Sequence, residues 1–133
     1  MIAASATAGT LLGFGIHLGT PARPFNAIAA LALGPGAQAV YGFSPLPTLL
    51  GILLHVAAMI AWGVVYELLV ARTRGYLTAS LVVAVAALTA LLLPSRLFGV
   101  GPAALLSIGN LVALSVVLAV ALPLGMRLAP SEV

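Results

Sequence analysis

Residues 81–93 read LVVAVAALTALLL, and this stretch decides the fold class. Inside a lipid bilayer, only helices and closed barrels satisfy all of their backbone hydrogen bonds. The strands of a membrane barrel alternate lipid-facing and lumen-facing positions, so apolar and polar residues alternate along them. Here the apolar residues follow one another almost without interruption. The stretch therefore predicts a membrane-spanning helix, and the chain as a whole is predicted to be an all-α, polytopic membrane bundle.

The composition extends this prediction to the whole chain. Of 133 residues, 63% are hydrophobic and 5% are charged, whereas soluble domains carry roughly 25% charged residues. A soluble fold could not cover its surface with these side chains. The five arginines are too few and too scattered to follow a nucleic-acid backbone. The composition excludes a soluble domain, a disordered tail and a nucleic-acid-binding module, and it predicts membrane lipids as partners.

The charged residues divide the chain into candidate spans. A helix that crosses the hydrocarbon core needs about 20 apolar residues. Proline and glycine clusters between the charges mark the joints, because proline disrupts helical geometry at and just before its own position. We predict a single four-helix transmembrane domain over residues 1–133, with helices at about 2–19, 47–71, 76–93 and 103–126.

The segment 25–42 does not fit this scheme. Phe25–Leu33 is apolar but gives a helix of only about 13 Å, and a Gly-Pro-Gly sequence at 34–36 interrupts it. We predict a short interfacial or re-entrant helix here, and a fifth crossing is the alternative.

The distribution of arginines predicts the orientation in the membrane. With four crossings, Arg23 and Arg96 fall on one side of the bilayer. The opposite side contains the residues that we expect to set the topology, namely Arg72, Arg74, Arg127 and the acidic Glu67. The positive-inside rule then places both termini in the cytoplasm, and the arginine-rich, lysine-free composition suggests a bacterial inner membrane. Glu67 is expected to pair with one of these three arginines; a proton or cation port is the alternative.

A stripe of polarizable and hydrogen-bonding side chains runs along the second predicted helix. His55, Met59, Trp62 and Tyr66 fall on one side of it at 100° per residue, and the opposite side is aliphatic. The aliphatic side should face acyl chains. The stripe is expected to pack into the bundle, to contact a pigment, quinone or lipid, to form a partner interface, or to line a solute or proton path.

His55 is the residue of this stripe with the widest chemical options. It lies about 13 Å into its helix, and an ionisable residue at membrane depth is a functional candidate. A neutral imidazole can ligate haem iron or chlorophyll magnesium. His17 is the only other histidine, and its predicted depth differs by about 10 Å. The sequence therefore requires no cofactor, and haem or chlorophyll ligation by His55 stays an open alternative.

Small residues at four-residue spacing predict close helix packing, either within the bundle or against another chain. The candidate interface residues are Gly9, Gly13, Gly15 and Gly19 in the first helix, and Ser107 and Asn110 in the fourth.

The residue inventory argues against an enzyme. The chain contains no cysteine, no aspartate and only two acidic residues, so neither a thiolate metal site nor a Ser-His-Asp triad can be built. No internal repeat supports an inverted-repeat transporter. We predict a non-catalytic accessory subunit of a larger respiratory or photosynthetic type of complex. The alternative is a small oligomeric channel or carrier for a small solute or a proton.

Overall fold

The computed structural model describes residues 2–73 and 75–128 and, among these, side chains up to residue 125. This part of the chain is helical and contains no strand. In chain order the elements are α1 (Ile2–His17), α2 (Arg23–Leu33), α3 (Pro35–Gln38), α4 (Pro45–Thr73), α5 (Tyr76–Phe98), a 3₁₀ turn (Pro102–Ala104) and α6 (Ile108–Leu128). The predicted all-α class is confirmed.

Three of these helices are long and apolar enough to cross a membrane, namely α4, α5 and α6. Their outer surfaces carry large hydrophobic side chains, such as Leu77, Phe98 and Ile108, which are mostly exposed. These side chains are not buried against other described residues, and lipid is the solvent that tolerates such an apolar surface. These features are those of an integral membrane protein.

The first predicted span is shorter than expected. α1 has 16 residues, or about 24 Å, and it ends at His17 rather than at residue 19. Gly19 adopts φ 96° and its N–H bonds to the carbonyl of Ile16, a turn that closes the helix. By length, three crossings are supported, and the fourth remains a prediction.

Two other boundaries also differ from the prediction. α5 continues through Pro94 to Phe98 instead of ending at residue 93. Pro94 lacks the N–H of a helical hydrogen bond and its ring crowds the carbonyl four residues earlier, yet the helix continues past it. It stops where Gly99 takes a left-handed conformation and its N–H bonds to the carbonyl of Ser95. α6 begins at Ile108 rather than at 103, because the preceding residues form the 3₁₀ turn.

Two apolar clusters show how the long helices are arranged. Ala3 packs with Tyr66, Ala79 and Leu122 at the end of the bundle where α4 connects to α5. Leu11 packs with residues near the start of α6 at the opposite end. α1 therefore runs antiparallel to α4 and α6, and the beginning of α1 and the end of α6 lie at the α4–α5 link end.

α2 lies inside the bundle and not on its surface. Seven consecutive residues, 24–30, are buried, and only the last turn, residues 31–33, is exposed. It extends for about 16 Å, packs most extensively against α4, and is followed by α3 and a return loop over residues 39–44. Whether this segment is interfacial, re-entrant or a fifth crossing stays a prediction.

Asn26 connects α2 to the return loop by hydrogen bonds. Its side chain is fully buried, and its Nδ2 donates to the carbonyls of Val40 at 2.9 Å and Gly42 at 3.0 Å. The Thr48 hydroxyl donates to Asn26 Oδ1 at 2.7 Å and accepts the Ser44 N–H at 3.1 Å. These bonds join α2, the return loop and the first turn of α4. They satisfy backbone groups that hydrocarbon would leave unpaired.

Gly51 lets α2 and α4 approach closely. A Cβ atom at this position would overlap the backbone carbonyl of Phe25. Only glycine therefore permits this crossing, which brings Phe25 against His55 with ring centroids 6.1 Å apart and an interplanar angle of 83°. The contact positions both α2 and the imidazole ring.

Candidate functional site

A cavity of about 410 Å³ lies in the middle of the bundle. Side chains from all the longer helices line it: Thr7 and Leu11 from α1, Ile28, Leu31 and Ala32 from α2, Leu54, His55, Ala58, Met59 and Trp62 from α4, Ala87, Ala90 and Leu91 from α5, and Leu114, Ser115 and Leu118 from α6, together with Pro102. Most of this lining is aliphatic. The cavity suits an apolar molecule with one or two polar groups.

Three of the four stripe residues face this cavity. His55, Met59 and Trp62 contribute to its wall, and His55 is buried whereas the other two are half-buried. Tyr66 lies further along α4, where it is buried in the apolar cluster at the α4–α5 link end. Within the described residues its hydroxyl has no hydrogen-bond partner. The stripe thus turns inward into the bundle instead of forming an outer surface.

Hydrogen bonds fix the His55 ring against α1. Its Nε2 lies 3.1 Å from Thr7 Oγ1 and 3.4 Å from the carbonyl oxygen of Ala4. The Thr7 hydroxyl donates to backbone carbonyls of its own helix, at 2.7 Å to Ala3 and 3.3 Å to Ala4. Because the Ala4 oxygen only accepts, these contacts favour the tautomer in which Nε2 is the donor. In the neutral ring, Nδ1 is then the acceptor.

The Nδ1 atom of His55 forms no hydrogen bond within the part of the chain that the structure describes, where the bonds of this ring are made by Nε2. His55 is part of the cavity wall. The ring can therefore offer one nitrogen to a bound molecule.

Ser115 and Trp62 supply the other polar atoms of the wall. Ser115 lies on α6, and its hydroxyl donates to the carbonyl of Leu111 at 2.9 Å, which leaves its oxygen free to accept. The indole N–H of Trp62 is a donor only. Neither residue carries a charge, so the site fits a neutral molecule.

The cavity is not fully enclosed. Among its lining residues, Ala58 on α4, Ala90 on α5, and Leu31 and Ala32 on α2 are exposed. The accessible part of its wall therefore includes small side chains on two neighbouring helices, α4 and α5.

The predicted interface glycines have different surroundings. Gly9 and Gly13 are exposed, and a methyl group built at either would meet no atom within 4 Å. Gly15 is buried against the backbone of Thr20 and Pro21, which a Cβ would meet at 2.7–2.9 Å. Gly19 forms the turn after α1. Only the first two therefore leave an open helix surface.

Ser107 and Asn110 lie at the start of α6. The Ser107 hydroxyl accepts the Asn110 N–H at 3.2 Å, which is the bond of a helix N-cap. Ser107 is exposed and Asn110 is half-buried. Their observed bond is local to this helix end, and an additional contact with another chain stays a prediction.

The charged residues whose side chains the structure describes are not part of the cavity wall. Glu67 and Arg72 are both exposed near the end of α4, and the structure shows no ion pair between them. Arg74 and the side chain of Arg127 lie outside the described residues, so pairing of Glu67 with either stays a prediction. At the opposite end of the bundle, the Arg23 guanidinium stacks on the Tyr41 ring at 4.0 Å.

The described residues offer no metal site built from protein side chains alone. No group of three histidine, cysteine, aspartate or glutamate residues occurs among them. His17 is exposed at the end of α1 and is not part of the cavity wall. The described residues thus do not provide His55 with a second histidine in the cavity.

Several site residues were not singled out from the sequence. Ser115 sits in an apolar run, and its register toward the cavity depends on how α6 packs. Asn26 and Gly51 carried a usable signal, since a lone amide and a lone glycine in apolar helices often mark close packing or a polar bond. The lining contributed by α2 could not be predicted, because the sequence does not show that this helix packs inside the bundle.

Comparisons with protein-family models, with curated proteins and with solved structures find no match for this chain. The function must therefore be inferred from the bundle and its cavity.

Proposed function

We propose that this protein is a non-catalytic accessory subunit of a larger membrane complex, of the respiratory or photosynthetic type, that holds an apolar molecule drawn from the bilayer. The observation that carries the proposal is the cavity of about 410 Å³ walled by His55, Met59 and Trp62. This volume falls within the range of roughly 300–1,000 Å³ found for small-molecule sites. The bound molecule rests against the inward face of α4.

The chemistry of the cavity supports binding rather than catalysis. Its wall holds one imidazole and a few neutral hydrogen-bonding groups, and no carboxylate is among them. General acid–base catalysis uses positioned groups that gain and lose protons, and His55 is the one titratable side chain among the lining residues. The proposed ligand classes are a lipid, a quinone or quinol, or a pigment.

An open face of α1 supports assembly with a partner. Ser5, Gly9 and Gly13 recur at four-residue spacing and are all exposed. Small residues at this spacing permit close backbone contact between membrane helices. In the proposed arrangement α1 is the fourth crossing, both termini lie in the cytoplasm of a bacterial cell, and another subunit or a second copy covers this face.

An oligomeric channel or carrier is the second candidate. The observation that favours it is the position of a buried histidine beside a central cavity, since ionisable groups at membrane depth often mark solute or proton paths. Four helices alone cannot enclose a wide path, so a conducting path would require several copies.

Purification from native membranes in a mild detergent tests these proposals. The accessory-subunit proposal predicts a fixed stoichiometry with other membrane proteins, and a non-covalently bound small molecule in native mass spectrometry. An absorption spectrum identifies a haem or pigment if one is present. A homogeneous homo-oligomer that conducts ions in liposomes would contradict the accessory role and support the channel.

A further inference from the structure

We propose that the cavity selects a neutral molecule with a hydroxyl group, which donates a hydrogen bond to His55 Nδ1, and that this molecule enters sideways between α4 and α5. The inference rests on the proposed binding function and specifies its ligand class. An isoprenoid alcohol, a quinol or another single-headed alcohol meets this requirement. A molecule whose polar group only accepts hydrogen bonds does not.

The contacts of His55 indicate which ring nitrogen is available. Nε2 lies against the Thr7 hydroxyl and the Ala4 carbonyl, and a neutral ring protonated on Nε2 has its lone pair on Nδ1. Nδ1 forms no hydrogen bond within the described residues, and His55 lines the cavity. In an apolar space an unpaired acceptor is costly, and a ligand that donates to it removes this cost.

The volume of the cavity limits the size of the ligand. An engineered cavity of about 150 Å³ accommodates benzene, and the volume here is about 410 Å³. By simple proportion, the space holds a body of roughly 15 non-hydrogen atoms. This size matches a short isoprenoid chain or a substituted ring. A whole phospholipid, with two long acyl chains, exceeds it.

The exposed positions in the cavity wall indicate a route of entry. Ala58 and Ala90 line the cavity and are exposed, and they lie on the neighbouring helices α4 and α5. An amphiphile dissolved in the bilayer meets this seam directly and needs no aqueous path. Larger side chains at these two positions would fill the seam without touching His55.

Binding of farnesol tests the hydrogen-bond requirement, because its length suits the estimated space. Farnesal has the same carbon skeleton but carries an aldehyde, which accepts hydrogen bonds and cannot donate them. Trp62 is the only tryptophan in the chain and lines the cavity, so its fluorescence reports occupancy. We expect farnesol to bind about fivefold more tightly than farnesal, the preference that one net hydrogen bond provides.

Substitution of His55 identifies the acceptor. His55→Phe should bind both compounds with equal affinity, whereas His17→Phe, at an exposed position outside the cavity, should keep the preference for the alcohol. The comparison of farnesol with farnesal on the unmodified protein stands even if His55→Phe fails to fold. Equal affinities in the unmodified protein would overturn the hydroxyl requirement and leave the proposed binding function intact. Failure of both compounds to bind would overturn the ligand class inferred here, whereas the proposed binding function fails only if the protein purified from native membranes carries no small molecule.

Leucine substitutions test the route. Ala58→Leu and Ala90→Leu should slow the fluorescence change after farnesol is added to protein in lipid nanodiscs, by about tenfold or more. Ala57→Leu is the matched control, because Ala57 is exposed on the same helix and does not line the cavity. Unchanged rates in both seam variants would overturn entry between α4 and α5.

Discussion

Asn26 joins three segments of the chain through one amide group. Its Nδ2 faces two carbonyl oxygens and its Oδ1 accepts from Thr48, so donors and acceptors are matched. Each buried polar group left without a partner costs about 1–3 kcal/mol. The return loop at 39–44 has no regular structure of its own and depends on these bonds.

The first prediction concerns this amide. Asn26→Ala should lower the midpoint of thermal unfolding in detergent strongly, since it exposes two carbonyls and one hydroxyl to an apolar interior. Asn26→Asp should also destabilise, because a carboxylate cannot donate to Val40 and Gly42. Thr89→Ala is the control, as its hydroxyl bonds only to the carbonyl of Val85 within the same exposed helix turn. Equal changes in the unfolding midpoint of Asn26→Ala and Thr89→Ala would contradict the role of Asn26 in holding the return loop against α2 and α4.

The second prediction concerns the bond between Thr7 and His55. Hydrogen bonds between membrane helices contribute about 0.6 kcal/mol on average in double-mutant cycles. We expect a coupling energy of about this size between Thr7→Val and His55→Phe, measured from unfolding in detergent. Strictly additive effects would show that the 3.1 Å contact contributes nothing to the packing of α1 on α4.

At the scale of elements, the crossing of α2 over α4 depends on one glycine. Gly51 and Gly63 are both on α4, but only at Gly51 does an added Cβ overlap another helix. Alanine raises helix propensity by about 1 kcal/mol relative to glycine, so propensity alone favours both substitutions.

The third prediction follows from this pair. Gly63→Ala should leave the free energy of unfolding unchanged or raise it, while Gly51→Ala should lower it by about 1–3 kcal/mol, as overpacking does. The shift of α2 should also disturb Phe25 and the His55 ring, which reduces ligand binding. A Gly51→Ala variant as stable as Gly63→Ala would show that the two helices are not in close contact.

The sequence was informative about elements to the extent that hydrophobicity controls them. Uninterrupted apolar runs predicted α4, α5 and α6 as helices, because hydrocarbon leaves the backbone no other regular choice. The ends were less accurate, since Pro94 did not stop α5 and the 3₁₀ turn delayed α6 to Ile108. Pro94 costs α5 one hydrogen bond and crowds the preceding turn. The sequence alone does not show whether the packing of α5 compensates for this cost.

The site was predicted only in part. Periodicity placed His55, Met59 and Trp62 on one face of a helix, and the structure places them on one wall. It could not show what lies opposite, because the depth of α2 and the register of Ser115 depend on contacts between distant segments. Tyr66 lies on the same face of α4 but beyond the cavity, because the stripe along the helix is longer than the cavity.

At the scale of the whole molecule, three helices satisfy the length of a crossing and α1 is the uncertain element. Its 16 residues span about 24 Å, and a bilayer can thin locally around a short helix. Ala3 lies with Tyr66 and Ala79 at the α4–α5 link end. A crossing by α1 therefore places Ile2 and Tyr76 on the same side of the membrane.

The fourth prediction tests that topology. The chain has no cysteine, so a single introduced cysteine is the only thiol that a membrane-impermeant maleimide can label. We expect Ile2→Cys and Tyr76→Cys to be labelled from the cytoplasmic side, and Phe43→Cys from the opposite side. Labelling of Ile2→Cys from the same side as Phe43→Cys would contradict the fourth crossing.

The central claim is that the interior of this bundle holds a molecule taken from the membrane. Native mass spectrometry of the protein extracted from its own membrane tests it most directly, with a variant that fills the space. Ala87 is buried and lines the cavity, whereas Ala57 is exposed and does not. We predict a bound small molecule on the unmodified protein and on Ala57→Phe, and its loss from Ala87→Phe. Three identical spectra without any bound molecule would contradict the claim.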